Sequence, residues 1–316
     1  MKEREEPLMQ AQDIGHVFIV GAGTMGQQIA LQCAMHGCDV TLYDLSPDAL
    51  QSARARIEGY AAQLAGRQRL TEAASRQALS RIRYTTQPEA AATADLLSES
   101  VPEDPALKGR VFAQFNAICP PRTIFTTDTS TLLPSMFAAA TGRPAQFAAF
   151  HFHTYVWDSN LVDVMPHPGT SPEVVQLLSD FARRIGQVPL VLKKESAGYV
   201  ANAILGAINE AAFRLVQDGV ATVEDVDRAV MIVMKMATGP FASLDVVGLD
   251  TVWHIMQSKA RLSGDPEQQA AADRFKAHYI DKGWLGVKSG RGFYTYPDPA
   301  YARPGFLTGE DVPPPP

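Results

Sequence analysis

The chain has 316 residues, a formal net charge of −6, 46% hydrophobic residues and 20% charged residues. This is the composition of a soluble globular protein with room for two domains. The acidic balance, without a Lys/Arg-rich arm, argues against a nucleic-acid partner, and the apolar runs fall short of the roughly 20 residues that cross a membrane.

The N-terminal half alternates strands and helices. After a tail at 1–14 that we expect to be flexible, the apolar run Val17–Val20 predicts a parallel strand buried on both faces. A glycine-rich turn, a helix and a second strand at Asp39–Tyr43 follow. Residues 47–79 predict a helical pair, 107–118 a further helix, and 95–99, 123–127 and 147–152 further strands. This order predicts an α/β fold, with a Rossmann-like doubly wound sheet over residues 15–195.

The pattern changes near residue 195. From there to about residue 261, apolar residues recur at steps of three and four, which is typical of helices. Thr222 to Asp225 resembles a capping box, and Gly239-Pro240 ends a helix. We therefore predict a smaller, all-helical C-terminal domain over 196–316. Its Pro-rich end, from Pro297 onward, is expected to lie along the surface or to be disordered.

A G-x-G-x-x-G motif lies between the first strand and the first helix, as a dinucleotide site requires. Gly21 permits the tight turn, Gly23 lets the backbone approach a diphosphate, and Gly26 lets the helix pack closely on the strand. The diphosphate is then expected at the start of the helix, beside Thr24 and Met25.

Asp44 ends the second strand, where a carboxylate accepts hydrogen bonds from ribose hydroxyls and repels the additional phosphate of NADP. The motif therefore predicts NAD as the cofactor. NADP, FAD and a glycine-rich turn without any ligand are the alternatives.

Oxidation of an alcohol by hydride transfer needs a base, and histidine is the usual one. His151 and His153 end an apolar strand in the α/β half. Because they are two residues apart on a strand, they share a face, and the pattern alone does not choose between them. A core histidine and a His-x-His metal site are the alternatives; we expect no metal, since no Cys or Glu cluster accompanies the pair.

Eight blocks of the sequence occur in the order of a known family: VGAGTMGQQIA (20–30), ESVPED (99–104), TIFTTDTSTL (123–132), FHFH (150–153), LVDVM (161–165), AGYVANAIL (197–205), ATGPFASLDVVGLDT (237–251) and LGVKSGRGFYTY (285–296). From about Gly15 to Tyr296, the chain resembles the L-3-hydroxyacyl-CoA dehydrogenase family, which includes 3-hydroxybutyryl-CoA dehydrogenases. The resemblance implies an NAD-dependent enzyme of fatty acid metabolism that interconverts L-3-hydroxyacyl and 3-ketoacyl thioesters of CoA, of short chain length. It also implies a helical C-terminal domain that binds substrate and forms a homodimer.

The resemblance assigns roles to four residues. His151 falls on the catalytic histidine, and Asp163 falls where the family usually has the Glu that pairs with it. Ser130 matches the serine that contacts the substrate oxygen, and in the cofactor pocket it lies near the nicotinamide. Asn202 matches an asparagine on the first helix of the second domain that completes the site.

Further charged positions are implied less directly. Glu103 and Lys108 match positions that line the nicotinamide half of the NAD pocket, with ordinary solvated charges as the alternative. A helical region rich in arginine can bind a phosphate of CoA, and it can equally be an ordinary solvated surface. Its arginines are Arg54, Arg56, Arg67 and Arg69.

The sequence departs from the family signature at the predicted site. His153-Thr154-Tyr155 stands where the family has Phe-Asn-Pro, and Asp163 is one methylene shorter than Glu, so its pairing must be closer or pass through water. The tract FHFHTYVWDSN is more similar to a branch that contains 3-hydroxybutyryl-CoA dehydrogenase-like proteins and a diketoreductase. Reduction of a diketo ester, a free keto acid or a carrier-protein-bound acyl chain is therefore an alternative, and a non-catalytic NAD-binding protein is a remote one.

Three cysteines without paired spacing predict reduced thiols, and the charged first twelve residues lack the apolar segment of a secretory signal. We therefore expect a cytoplasmic protein.

Overall fold

The computed structural model describes residues 9–310. Between these limits the first part of the chain forms β1 (His16–Val20), α1 (Thr24–Met35), β2 (Asp39–Tyr43), α2 (Pro47–Gly66), α3 (Glu72–Ser80), β3 (Ile82–Thr85), β4 (Leu96–Glu99), α4 (Pro105–Asn116), β5 (Ile124–Thr127), β6 (Phe147–Phe152), β7 (Leu161–Pro166), α5 (Pro172–Arg184) and β8 (Val188–Val191). The second part forms α6 (Ala201–Gln217), α7 (Val223–Met234), α8 (Pro240–Val247), α9 (Leu249–Ser263) and α10 (Pro266–His278).

The chain divides into two compact units, of which the first ends at Ala201 and the second begins at Asn202. The first holds all eight strands described and the second is helical, so the predicted fold class is confirmed. The division falls six residues beyond the predicted end of the first domain, residue 195.

The strands form one sheet in the order β3-β2-β1-β4-β5-β6-β7-β8. Strands β1 to β6 are parallel, β7 is antiparallel to β6, and β8 is parallel to β7. The strand order reverses between β1 and β4, and in sheets of this kind ligands bind outside the carboxyl ends of the strands at that point. The glycine turn follows β1, so the topology places it at this crevice.

Helices cover both faces of the sheet, which is why β1 and β2 are apolar on both sides. On one face α1, α2 and α5 pack against Ile19, Leu42 and Val164. On the other, α4 contributes Phe112 and Phe115 to a largely aromatic core.

Helix α1 is buried even at its polar positions, because its glutamines bond to neighbouring backbone. Gln32 Nε2 donates to Ile185 O at 2.7 Å, and Gln28 Oε1 accepts the Tyr155 N–H at 2.6 Å. The second bond ties the segment that follows β6 to α1.

Both ends of the described chain are packed against the rest of the protein. Residues 9–14 were predicted to belong to a flexible tail, but Ile14 is fully buried, and Arg184 donates to the carbonyls of Ala11 and Ile14. At the other end, Phe306 is fully buried and its carbonyl accepts a bond from Arg228 Nε. Residues 1–8 and 311–316, which belong to the predicted tail and to the Pro-rich end, lie outside the described residues.

The helical unit is organised by buried carboxylates. Asp227 accepts the N–H groups of Phe241 and Ala242 at the start of α8, each at 2.9 Å. At the start of α7, Thr222 Oγ1 accepts the Asp225 N–H at 3.1 Å, as predicted for a cap. Within residues 9–310, no helix combines the length and the apolarity needed to cross a membrane.

Candidate active site

The glycine turn after β1 has the shape that a dinucleotide site needs. Gly21 has φ +109°, and a Cβ added there would lie 2.7 Å from Ser100 O. A Cβ at Gly26 would lie 1.9 Å from Gly21 O, whereas one at Gly23 would meet no described atom within 4 Å. The first and third glycines are therefore required by the fold, and the middle one faces open space where a ligand can approach.

The start of α1 is open to an anion. Its N-cap, Gly23, provides no side chain for the first N–H groups of the helix, to which Thr24 and Met25 belong. Thr24 is exposed and Met25 is half-buried. Nearby, Ser100 Oγ is buried and has no partner among residues 9–310. These features fit a bound diphosphate.

Asp44 connects β2 to the glycine turn. Its Oδ2 accepts the Ala22 N–H and its Oδ1 accepts the Ser46 N–H, both at 2.9 Å. Since each carboxylate oxygen has two lone pairs and the side chain is half-buried, both oxygens retain capacity for ribose hydroxyls. The turn and Asp44 therefore fit an adenosine diphosphate moiety.

A buried ion pair lies at the end of β4. The side chains of Glu99 and Lys108 are 0% and 1% exposed, and Lys108 Nζ lies 2.7 Å from Glu99 Oε1. Glu99 also accepts bonds from the Val101 N–H and from Thr127 Oγ1, and Lys108 also donates to Val101 O. Burial raises the pKa of Glu99, and the Lys108 ammonium opposes this shift. Lys108, predicted to line the cofactor pocket, thus lies inside the protein with its ammonium enclosed by protein acceptors.

Glu103 links this pair to the segment after β5. Its side chain is 34% exposed and lies 3.4 Å from Lys108 Nζ. Its Oε1 accepts the Ser130 N–H at 2.6 Å, and its Oε2 accepts a bond from Thr129 Oγ1 at 2.7 Å. Glu103 therefore holds Ser130 in place.

The predicted catalytic pair is formed across two strands. His151 on β6 and Asp163 on β7 are directly opposed in the antiparallel register, so their side chains share one face of the sheet. His151 Nδ1 lies 3.0 Å from Asp163 Oδ2, and His151 Nε2 lies 3.1 Å from Ser130 Oγ. The shorter acid thus pairs with the imidazole directly, without water.

His153 also contacts this carboxylate. Its Nε2 lies 3.1 Å from Asp163 Oδ2, the same oxygen that His151 contacts. The donor atoms of His151, His153 and Asp163 lie within 4.8 Å of one another. Asp163 therefore joins the two histidines in a group of potential metal ligands that the sequence pattern did not indicate, although its Oδ2 here accepts a hydrogen bond from each ring.

The hydrogen bonds fix the protonation pattern. Burial lowers the pKa of His151 below its ordinary value, and the bond to Asp163 offsets only part of this. Burial alone would raise the pKa of Asp163, but the bonds from His151 and His153 outweigh it and lower that pKa. An ionised carboxylate only accepts hydrogen bonds, so the proton of neutral His151 is on Nδ1, and Nε2 presents its lone pair beside Ser130.

Tyr199 was not predicted as a site residue. Its ring stacks on His151 with centroids 4.3 Å apart and 9° between the planes, and its hydroxyl donates to Thr129 O at 2.6 Å. The backbone φ is +53°, a conformation that a bulky residue seldom adopts. The buried tyrosine, with its strained backbone, therefore covers one face of the His151 ring.

The remaining predicted residues are Asn202 and a group of arginines. Asn202 is the second residue of α6 and opens the second unit; its role stays a prediction. Arg67 and Arg69 both pair with Asp158, and Arg54 lies 4.7 Å over the Tyr84 ring. These arginines already have partners, so the case for a CoA phosphate among them rests on sequence alone.

Comparisons with known proteins identify the family that the chain resembles. Residues 16–196 match the NAD binding domain of 3-hydroxyacyl-CoA dehydrogenase, and residues 198–296 match its C-terminal domain. The chain is 34% identical over 285 residues to a probable 3-hydroxybutyryl-CoA dehydrogenase of Bacillus subtilis, covering 90% of this chain and 98% of that protein.

Two solved structures are similar throughout. A diketoreductase, described as catalysing reactions of dicarbonyl compounds, is 42% identical with a TM-score of 0.81, covering 90% of this chain and 99% of its own. The (S)-3-hydroxybutyryl-CoA dehydrogenase PaaH1 of Ralstonia eutropha is 31% identical with a TM-score of 0.80, covering 90% and 100%.

Proposed function

Because the chain belongs to the 3-hydroxyacyl-CoA dehydrogenase family, whose cofactor is NAD, we propose that it interconverts a short-chain L-3-hydroxyacyl-CoA and the 3-ketoacyl-CoA. The observation that carries the proposal is the buried His151, bonded to Asp163 on one ring nitrogen and facing Ser130 with the other. The names of the relatives in Bacillus subtilis and Ralstonia eutropha support a four-carbon acyl group.

The residues of this chain supply the proton chemistry. In the oxidation, His151 Nε2 accepts the proton of the substrate hydroxyl. NAD⁺, held at the glycine turn, would supply the acceptor for the hydride that leaves the hydroxyl-bearing carbon. Asp163 stabilises the imidazolium that forms, as the acid of a catalytic triad does. Ser130 Oγ, fixed by Glu103 through its backbone, is oriented to bond the reacting oxygen. In the reduction, His151 returns the proton.

The cofactor is held by the glycine turn. The N–H groups of Thr24 and Met25 are offered to the diphosphate beside Gly23, and the oxygens of Asp44 to the ribose hydroxyls. The negative charge of Asp44 favours NAD over NADP.

A second candidate function is reduction of a different 3-keto compound. It is favoured by the 42% identity to the diketoreductase, which exceeds the 34% identity to the Bacillus subtilis relative. The two functions share the proton chemistry and differ only in what occupies the acyl and carrier positions.

An assay of NADH oxidation tests the proposal. Acetoacetyl-CoA is compared with free acetoacetate, a carrier-protein-bound 3-ketoacyl chain and a 3,5-diketo ester, and we expect the highest kcat/KM for acetoacetyl-CoA. A preference for a diketo ester would favour the second candidate. In His151→Gln we expect turnover to fall by about 10²- to 10⁴-fold with NADH affinity unchanged. The matched control is His36→Gln, at an exposed position after α1, and wild-type turnover in His151→Gln would contradict the proposal.

The assembly belongs to the same proposal. Large apolar side chains are exposed on three helices of the second unit, including Ile204 on α6, Val233 and Met234 on α7, and Val246 on α8. Apolar surface of this kind on an isolated chain supports a homodimer through the C-terminal domain. The three cysteines are buried and unpaired, which supports a cytoplasmic location.

A further inference from the structure

We propose that His153 is a positioning residue: by donating a second hydrogen bond to Asp163 Oδ2, it holds this short acid in register with His151. The inference deepens the proposed function and rests on it for the role of His151. It assigns a task to a histidine that the sequence pattern left as an unresolved alternative to His151.

The hydrogen bonds of Asp163 are distributed unevenly. Oδ2 accepts from His151 Nδ1 at 3.0 Å and from His153 Nε2 at 3.1 Å, whereas Oδ1 is buried and has no partner within residues 9–310. A carboxylate bonded to His151 alone can rotate and exchange its two oxygens. Two donors converging on one oxygen remove this freedom, so His153 determines which oxygen faces His151 and from which direction.

The rings confine one another as well. His151 is stacked against Tyr199 on one face, and the edge-to-face contact with His153 has a centroid distance of 4.9 Å and an angle of 72°. The side chain of His153 is 17% exposed, against 4% for His151 and 0% for Asp163. His153 is therefore the most exposed member of the cluster.

The two departures from the family signature meet in space. His153 stands where the family has Phe, and Asp163 where it usually has Glu; they are ten residues apart, and their side chains are hydrogen-bonded. Asp163 is one methylene shorter than Glu and reaches less far. The N–H donor of His153 beside it fixes the position of its carboxylate. The two changes compensate each other physically.

The charges around His151 give this role a pH signature. The groups that face it are Asp163 on β7, His153 directly after β6, Glu103 from the segment before α4 and Tyr199 before α6. Asp128, after β5, accepts the N–H of the neighbouring Phe152. Positive charge on His153 opposes protonation of His151, and sharing Oδ2 weakens the acceptor available to it. Loss of His153 removes this opposition, but the displaced Asp163 no longer gives the imidazolium its larger support, so the pKa of His151 falls.

Two variants test the proposal. His153→Phe keeps a ring but removes the donor, and His153→Gln keeps an N–H donor without a ring. For His153→Phe we expect kcat to fall about 10- to 100-fold at unchanged NADH affinity, as for other misplaced catalytic groups. We also expect the acidic limb of kcat/KM for oxidation to move to lower pH, because the bond from Asp163 that supports the His151 imidazolium is weakened. His153→Gln is expected to stay within about fivefold of the wild type, since the charge-assisted bond is retained. Wild-type kcat and pH profile in His153→Phe would overturn the proposal.

A double variant tests the compensation. Combining His153→Phe with Asp163→Glu restores the reach of the acid, and we expect its kcat to exceed that of His153→Phe at least several-fold. A double variant no faster than His153→Phe would refute the compensation. All assays are repeated with EDTA, and a profile that changes with the chelator would overturn the proposal in favour of a bound cation.

Imidazole ¹⁵N spectra of the ligand-free protein separate this proposal from the proposed function, because they need no substrate. The His151 signals are assigned by their absence in His151→Gln. We expect a single Nδ1–H tautomer in the wild type and in His153→Gln, and a shifted or mixed tautomer in His153→Phe. Identical His151 spectra in wild type and His153→Phe would overturn the positioning role, even if the enzyme turns over acetoacetyl-CoA. If the spectrum shifts in His153→Phe but the wild type is inactive on thioesters, the positioning role is supported and the proposed substrate is refuted.

Discussion

Replacing Lys108 by Met is expected to destabilise the first unit strongly, although this lysine touches no solvent. In the variant, Glu99 stays buried but loses its cationic partner. It still accepts hydrogen bonds from the Val101 N–H at 2.7 Å and from Thr127 Oγ1 at 2.6 Å. Breaking a buried ion pair on one side costs about 3–5 kcal/mol. Because two hydrogen bonds still satisfy the acid, we expect the lower end, about 3 kcal/mol, which corresponds to a fall in Tm of roughly 6–12 °C.

The loss should grow with pH. Burial already raises the pKa of Glu99, and removal of the Lys108 ammonium raises it further. The native variant then holds a proton that the unfolded chain releases near the ordinary value of about 4.3. Since the native state binds more protons, its stability falls as pH rises above that value.

Thermal unfolding of Lys108→Met between pH 5 and 8 measures both effects, with Glu99→Gln/Lys108→Met as the matched control. In the double variant no charge is buried, so we expect most of the stability to return and the added pH dependence to disappear. NADH affinity close to wild type in the double variant would show that Lys108 acts on the site only through Glu99 and Glu103. Equal loss in the single and double variants, or no pH dependence in the single one, would refute the reasoning.

Three further predictions follow from the geometry. Gly26→Ala would place a Cβ 1.9 Å from Gly21 O, so Tm and NADH affinity should both fall. The control is Gly59→Ala in α2, where a Cβ meets no described atom within 4 Å and should stabilise the protein by about 0.5–1 kcal/mol. Equal effects of the two substitutions on Tm would contradict the steric argument. The pKa of His151 lies below the ordinary value of about 6.5. As pH rises through this pKa, initial rates of ketone reduction should fall and rates of oxidation should rise. A flat pH profile for reduction would argue against His151 as the acid. Replacing Val233, 77% exposed on α7, by Glu should convert the proposed dimer to monomer by light scattering, and an unchanged mass would exclude this surface as the interface.

The central strands were predictable because they are buried on both faces. Val17–Val20 is a continuous apolar run and Asp39–Tyr43 is rich in strand-forming residues, and the structure has β1 and β2 there. The outer strands carry a weaker pattern: β3 and β8 are four residues long and partly exposed, and β8 contains Pro189, which only an edge strand tolerates. These two strands, with β7 and α5, were not predicted.

The site could be predicted only in part, because its contacts are distant in sequence. The glycine motif is local and was found from its spacing, whereas His151 and Asp163 were selected by family resemblance. The contact between them depends on the register of β6 and β7, which no periodicity encodes. The stacking of Tyr199 and the pairing of Lys108 with Glu99 depend on the folded chain in the same way.

His151 and Asp163 are directly opposed on two neighbouring antiparallel strands. The main-chain hydrogen bonds between the strands therefore set the spacing of the two side chains, and no loop does. Apart from His153, which we propose holds Asp163, the segments at either end of this strand pair can lengthen, shorten or change composition without moving the proton-transfer unit. Substrate range can therefore diverge within such a scaffold while its acid–base chemistry stays constant, and the residues to exchange for a new substrate are those beyond the two strands.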